Sequence, residues 1–393
     1  VTANRQLWPM VKRNVDKLKY ATRKFISNMR KFTLCILLFI LYTPSLLSQE
    51  SKLNRPQTPI EPYPYQSENV TFENTTDGVR LAGTFTYPKG ADNLPAVVLI
   101  SGSGPNDRDC DYLEHKPFLV IADFLTKNGI AVLRYDKRGI GQSTGDYATA
   151  TSADFARDVE FAISYLKNRK EINKNKIGLI GHSEGGIIAP MVAEKSKDVR
   201  YIILMAGPTI KGDKLLLLQD RLISQSLGES ESNIALAEKL NAQSYAIAND
   251  SISIENIKEN LRAHIKNTYK VNPGLVKPET MSEDEFIDRE IKFYTDNWTQ
   301  FYIRYDPEKM LEKVNIPVLA LFGSKDLQVP PTENAQILER LAKDKKNFQI
   351  TIIPNLNHLF QECETGSPRE YKRIEQTVSP IALNKMANWI KEK

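Results

Sequence analysis

Ile177-Gly178-Leu179-Ile180-Gly181-His182-Ser183-Glu184-Gly185-Gly186 is the stretch on which the reading of this chain turns. A short apolar run ends in Gly-x-Ser-x-Gly and passes into small, helix-compatible residues. That order predicts a buried strand, a sharp turn and a helix, with the serine hydroxyl projecting from the end of a sheet. Glycine on both flanks lets strand and helix approach closely around the serine. The bare pattern also describes an ordinary glycine-rich turn. It acquires chemical meaning only if the rest of the chain supplies a base, an acid and a site for an oxyanion.

Working outward, residues 96–100 form a continuous apolar run, and 130–135, 201–205, 316–322 and 348–353 read as further strands. Such runs suit strands covered on both faces. Between them lie helical stretches at 118–127, 152–168, 187–195 and 334–343, and a last one at 380–391. Phe155, Val159, Ala162, Ile163 and Leu166 form one helical stripe, with Thr151 and Asp154 as a capping pair before it. Strands alternating with helices imply an α/β fold, a mostly parallel doubly wound sheet. It is preceded by an antiparallel hairpin, because residues 70–87 alternate in period two around Asp77-Gly78. From about 211 to 313 the alternation stops, and Leu, Ala, Glu, Lys and Asn dominate. We read a helical insert there, inside a domain spanning residues 68–393.

The net charge of +5 over 393 residues is unevenly spread. Residues 1–31 hold nine Lys or Arg against Asp16, which leaves the remainder mildly acidic at −3. That body gives no reason to expect nucleic acid as a partner. Met29-Arg30-Lys31, the apolar run 32–42 and Ser45-Leu46-Leu47-Ser48 read as a signal peptide over 29–48. The apolar run falls short of the about 20 residues that a span needs. The expectation is therefore a periplasmic or secreted protein with no membrane contact once cleaved, with an uncleaved signal anchor as the alternative. Residues 1–28 are read as an upstream extension from a frame started too early, or else as a long basic leader. Residues 49–67, with Pro56, Pro59, Pro62 and Pro64, read as an extended linker. Cys110 and Cys363 remain after cleavage; export permits a disulfide, and two independent cysteines are the plainer reading.

A serine hydroxyl needs a base to act as a nucleophile at neutral pH. Of four histidines, His358 follows the last strand, at the carboxyl end where a doubly wound sheet puts its site. His182 adjoins the serine and is read as a packed neighbour. His264 lies in the insert and is read as a surface residue, while His115 could border the site. Asp326, just after the strand 316–322, is the candidate carboxylate. The order Ser183, Asp326, His358 is that of hydrolases built on such a sheet. The oxyanion would meet the backbone N–H groups of Glu184 and of Ser103, the latter in Ser101-Gly102-Ser103-Gly104-Pro105. A phosphate loop is excluded there, since no Gly-Lys-Ser/Thr follows. The loop from Asp136 to Gly141 is read as structural, with lining of the site as the alternative. No metal-ligand spacing occurs, and no cofactor is expected.

These motifs resemble those of the α/β-hydrolase superfamily, and more narrowly the exported bacterial serine carboxylesterases with a helical cap. The matching stretches are Ser101-Gly-Ser-Gly-Pro-Asn-Asp-Arg-Asp109, His115-Lys-Pro-Phe118, Arg134-Tyr-Asp-Lys-Arg-Gly-Ile-Gly-Gln-Ser143, Gly181-His-Ser-Glu-Gly-Gly186, Gly323-Ser-Lys-Asp-Leu-Gln-Val-Pro330 and Asn357-His-Leu-Phe-Gln361. Relatives often carry His where Ser101 stands, so any brace that His makes is not implied here. The resemblance implies hydrolysis of small carboxylic esters through an acyl-enzyme on Ser183. A serine peptidase for short peptides, an Asp-nucleophile hydrolase and a non-catalytic binding protein are the competing readings. A serine at the elbow speaks against the second, and a complete Ser, Asp and His set against the third.

Overall fold

The computed structural model describes residues 54–272 and 280–393. The expected signal peptide and its upstream extension lie outside them. The chain opens with the strands β1 (Gln66–Asn74) and β2 (Val79–Tyr87), paired antiparallel. Their link is a four-residue loop rather than a two-residue turn. Asn74 caps it by accepting from the Asp77 N–H at 3.0 Å, and Gly78 takes a φ of +67°.

Then β3 (Leu94–Ile100), β4 (Ala131–Tyr135), β5 (Ile172–His182), β6 (Tyr201–Met205), β7 (Val318–Gly323) and β8 (Phe348–Ile353) complete one sheet. Its order is β1-β2-β4-β3-β5-β6-β7-β8. The β2–β4 pair is antiparallel, and every pair beyond it is parallel. All residues of β4, β6 and β7 are buried, so both side-chain faces are covered. The helices α1 (Pro117–Lys127), α2 (Ser152–Lys167) and α3 (Gly185–Lys195) follow β3, β4 and β5. Asp154 accepts from the Thr151 amide at 2.7 Å at the start of α2, as the capping pair predicts.

The helices α4 (Gly212–Ser226), α5 (Glu231–Ala248), α6 (Ile254–Val271), α7 (Glu283–Thr295), α8 (Asn297–Arg304) and α9 (Pro307–Leu311) occupy the expected insert. They do not form one body. Residues 228–295 make a separate compact unit, whereas α4, α8 and α9 group with the sheet. The separate unit is a three-helix assembly of α5, α6 and α7. Ser230 and Ser253 cap the first two by accepting from Asn233 and Asn256 amides. Its apolar residues include Ile257, Leu261, Ile265 and Ile287, with the rings of Tyr245 and Tyr294 edge to face at 5.2 Å. The chain ends with α10 (Pro331–Ala342), after β7, and α11 (Pro380–Lys391).

Residues 54–65, expected as an extended linker, hold a turn closed by the Thr58 N–H on the Arg55 carbonyl at 3.0 Å and are tied down by hydrogen bonds. The Arg55 guanidinium donates to the carbonyls of Leu113, Ile374 and Lys372 at 2.8 to 2.9 Å. Gln57 exchanges hydrogen bonds with Thr377 and Val378. Prolines predict an extended backbone, but the partners lie 58 to 321 residues away and no local pattern announces them. Cys110 and Cys363 are both free thiols.

Candidate active site

Three loops at the carboxyl ends of parallel strands carry the candidate residues: Ser183 after β5, Asp326 after β7 and His358 after β8. Ser183 has φ +53°. A side chain tolerates that left-handed conformation only under compulsion, at a cost of about 1 kcal/mol or more. The compulsion is visible. The Ser183 N–H donates to the Met205 carbonyl at 2.9 Å, and the Ser183 carbonyl accepts from Gly186 N–H at 2.8 Å. A Cβ on Gly181 would overlap the Gly185 carbonyl, and one on Gly185 would overlap the carbonyl of Ile100. The elbow therefore requires glycine at both flanks.

Asp326 and His358 meet directly. His358 Nδ1 lies 2.8 Å from Asp326 Oδ2, and both residues are buried. Asp326 Oδ1 accepts from the amides of Gln328 and Val329 at 2.8 and 2.9 Å, which fixes the orientation of the carboxylate. The two loops are laced together behind this pair. Lys325 N–H donates to the Leu356 carbonyl, and Asn355 N–H to Ser324 Oγ. The His358 turn is built on Asn357, a fully buried side chain whose Oδ1 accepts from the amides of Leu359 and Gln361 at 3.0 Å.

His182 binds this loop to the elbow. Its Nε2 is 2.9 Å from the His358 carbonyl, and the two rings sit 4.8 Å apart. That contact needs Nε2 protonated, as in a neutral ring donating to the carbonyl. Desolvation first, and the neighbouring His358 second, push His182 down to about 4, so it is neutral at pH 7. The packed neighbour expected from sequence thus links the loops that carry Ser183 and His358. His115 is buried, with Nδ1 facing Thr377 Oγ1 and Nε2 facing the Tyr371 carbonyl, both at 3.0 Å. It fastens the C-terminal segment and, with its Nε2 3.0 Å from Gln361 Nε2, meets the loop that carries His358. His264 is part-buried in the three-helix unit, its Nε2 3.3 Å from the Leu240 carbonyl.

The glycine-rich loop adjoins Ser183 and His182. A Cβ on Gly102 would come within 3.0 Å of Ser183 Cβ. Among the described residues the amides of Ser103 and Glu184 meet no hydrogen-bond acceptor, which leaves both available to an oxyanion. The Glu184 side chain points into the protein. Its carboxylate, 1% exposed, accepts from Lys137 Nζ at 3.1 Å, Ser152 Oγ at 2.7 Å and Trp298 Nε1 at 2.7 Å. Asp136 holds Arg108 through two bonds and accepts from the Gln142 amide. Arg138 is paired with Asp158 and Asp77. In the loop from Asp136 to Gly141 these two side chains make ion pairs, while Lys137 reaches the glycine-rich loop through the Gly102 carbonyl. Lys137, Ser152, Trp298 and Asn357 escape a reading of the sequence. Ser152 and Trp298 carry no motif, Lys137 lies inside the stretch Arg134–Ser143 with nothing there to mark its role, and Asn357 shows only as an Asn preceding His.

The sequence model of the X-Pro dipeptidyl-peptidase (S15) family matches residues 77–359. Esterase EstD of Thermotoga maritima is 26% identical over 332 residues, covering 84% of this chain and 69% of that protein. An uncharacterized 31.7 kDa Escherichia coli protein is 23% identical over 287 residues, 71% of this chain and 88% of its own length. Among solved structures, a hypothetical protein of Pseudomonas aeruginosa has a TM-score of 0.51 at 16% identity, covering 89% of this chain and 99% of that one. The α/β hydrolase GrgF of a Penicillium species has a TM-score of 0.50 at 18% identity, covering 83% and 98%. The two structures speak for the fold, which is that of α/β-hydrolases.

Proposed function

The chain belongs to the X-Pro dipeptidyl-peptidase (S15) family, and within it we propose a serine hydrolase that cleaves small carboxylic esters through an acyl-enzyme. The observation that carries this reading is the His358–Asp326 contact at 2.8 Å, in a loop tied through His182 to the elbow that holds Ser183. In the proposed reaction the Ser183 hydroxyl attacks the ester carbonyl carbon while His358 Nε2 takes its proton. Asp326 holds the Nδ1 proton and balances the imidazolium. The Ser103 and Glu184 amides bind the oxyanion of the tetrahedral adduct. The adduct collapses, the alkoxide leaves with the proton from His358, and an acyl ester remains on Ser183. Water, deprotonated by His358, attacks that ester and releases the acid.

The preference for esters is supported by the similarity to an esterase over most of the chain. The family match supports the second reading, a peptidase acting on short peptides. A panel of p-nitrophenyl esters of increasing acyl length, run beside aminoacyl-prolyl-p-nitroanilides, separates the two. A larger kcat/KM on the anilides would overturn the ester reading. Loss of fluorophosphonate labelling in Ser183→Ala is expected; labelling that persists there would sink the assignment of Ser183. We propose export as well, on the strength of the basic and apolar pattern at 29–48. N-terminal sequencing of the protein recovered from a periplasmic extract should begin near Gln49.

A further inference from the structure

We infer that Lys137 is a positioning residue for the oxyanion site, clamping both of its arms from behind. This inference rests on the proposed serine-hydrolase reading. Lys137 Nζ donates to the Gly102 carbonyl at 2.7 Å and to Glu184 Oε2 at 3.1 Å. Glu184 supplies one of the two proposed amides. Gly102 does not supply the other, but its carbonyl belongs to the same planar peptide group as the Ser103 N–H. In a trans peptide the C=O and the following N–H point in opposite directions. A donor held on the Gly102 oxygen therefore turns the Ser103 N–H the other way and leaves it little freedom to rotate. Being an ammonium, that donor also polarises the peptide and strengthens the N–H at its far end. Asn106 Nδ2 donates to the same oxygen at 2.8 Å, so the carbonyl is held from two directions.

The surroundings suit a permanent clamp. Lys137 is 3% exposed, and its ammonium lies 4.3 Å from the centre of the Phe155 ring. Its partner Glu184 is held in turn by Ser152 and Trp298. A buried ion pair of this kind is a poor way to stabilise a fold, since well-packed apolar residues of the same volume often do as well or better. It is a good way to hold two backbone segments in one geometry. Gly102 sits so near Ser183 that a small rotation of its peptide would move the Ser103 N–H off the oxyanion.

The test is Lys137→Met, alone and combined with Glu184→Gln so that no carboxylate is left buried without its partner. With a p-nitrophenyl ester, kcat should fall about 30- to 100-fold, approaching the loss of one oxyanion donor, while KM stays within about threefold. The affinity of a trifluoromethyl ketone, whose serine adduct carries the oxyanion, should fall by the same factor as kcat/KM. Ser152→Ala, which removes a bond to Glu184 but leaves the Gly102 carbonyl untouched, should keep kcat within about twofold. If the methionine variants do not fold, Lys137→Gln keeps a donor without the charge and should lose about 5- to 10-fold in kcat alone. A folded double variant, or a glutamine variant, with wild-type kcat overturns the inference, as does an equal loss in Ser152→Ala. Ser183→Ala keeps the two readings apart. Activity that survives it sinks the serine-hydrolase reading, whereas an inactive Ser183→Ala beside fully active Lys137 variants sinks the clamp alone.

Discussion

Asp326→Asn gives a sharp test of the proposed triad, because the structure dictates which way the new amide must face. Oδ1 of Asp326 accepts from two backbone N–H groups, those of Gln328 and Val329, and Oδ2 faces His358 Nδ1. An asparagine there keeps its oxygen toward the two backbone donors, since turning its NH2 toward them would set donor against donor. The NH2 must then point at His358 Nδ1. The imidazole can satisfy it only by accepting, which moves its proton to Nε2, the nitrogen that must take the proton of Ser183. The base is present but in the wrong tautomer. The expected loss in kcat is about 10⁴-fold, equivalent to about 5.5 kcal/mol of transition-state stabilisation. Stability should change far less, by about 1–2 kcal/mol, since both backbone bonds survive and one charge-assisted bond is weakened. The assay is p-nitrophenyl ester hydrolysis normalised to folded protein, beside a urea melt. A loss below about tenfold, with the fold intact, would refute the role given to Asp326.

Gly102→Ala places a methyl within 3.0 Å of Ser183 Cβ and 3.3 Å of the His182 carbonyl, so the oxyanion loop must shift. Because a displaced donor costs about 10- to 100-fold in kcat, that loss is expected with little change in melting temperature; an unchanged kcat would contradict the proximity. His182→Gln tests the acid side of stability. The His182 ring is lowered from 6.5 to about 4 in the folded protein, so below 6.5 the unfolded chain takes up the proton first. Its contribution is therefore favourable at neutral pH and lost as pH falls from about 6.5 to 4. The glutamine variant should show a shallower fall in melting temperature over that window, and an identical slope would count against it. Cys110 and Cys363 are free, so a reductant should leave the melting temperature unchanged; a drop would reveal a disulfide. Arg55→Ala removes three bonds to distant carbonyls and should destabilise by about 1–2 kcal/mol in a urea melt without altering kcat.

Local pattern carries much of this protein. The apolar runs of β3, β6 and β7 announced strands buried on both faces, and the Gly-x-Ser-x-Gly turn between β5 and α3 announced the elbow. Burial and tight turns act on neighbours in the chain, so a sequence records them directly. The candidate base and acid were legible for a related reason. His358 and Asp326 each follow a strand closely, and the ends of parallel strands converge wherever the sheet is built.

Only the folded chain decided the rest. Nothing near Lys137 in sequence says that its ammonium reaches the Gly102 carbonyl, 35 residues away, while also holding Glu184, 47 residues on. Nor could the prolines of residues 54–65 reveal that Arg55 is anchored on carbonyls beyond residue 370. The division of the helical insert, with residues 228–295 apart and α4, α8 and α9 joined to the sheet, was equally hidden. Local composition does not sort these helices into two groups; the packing of the folded chain does. Hydrogen bonds to backbone carbonyls and the choice of packing partner leave no residue-level signature, because every peptide group offers the same acceptor. The sequence by itself determined the strands, the turn and the ends at which the chemistry sits. Tertiary packing decided which buried side chains hold that chemistry in place.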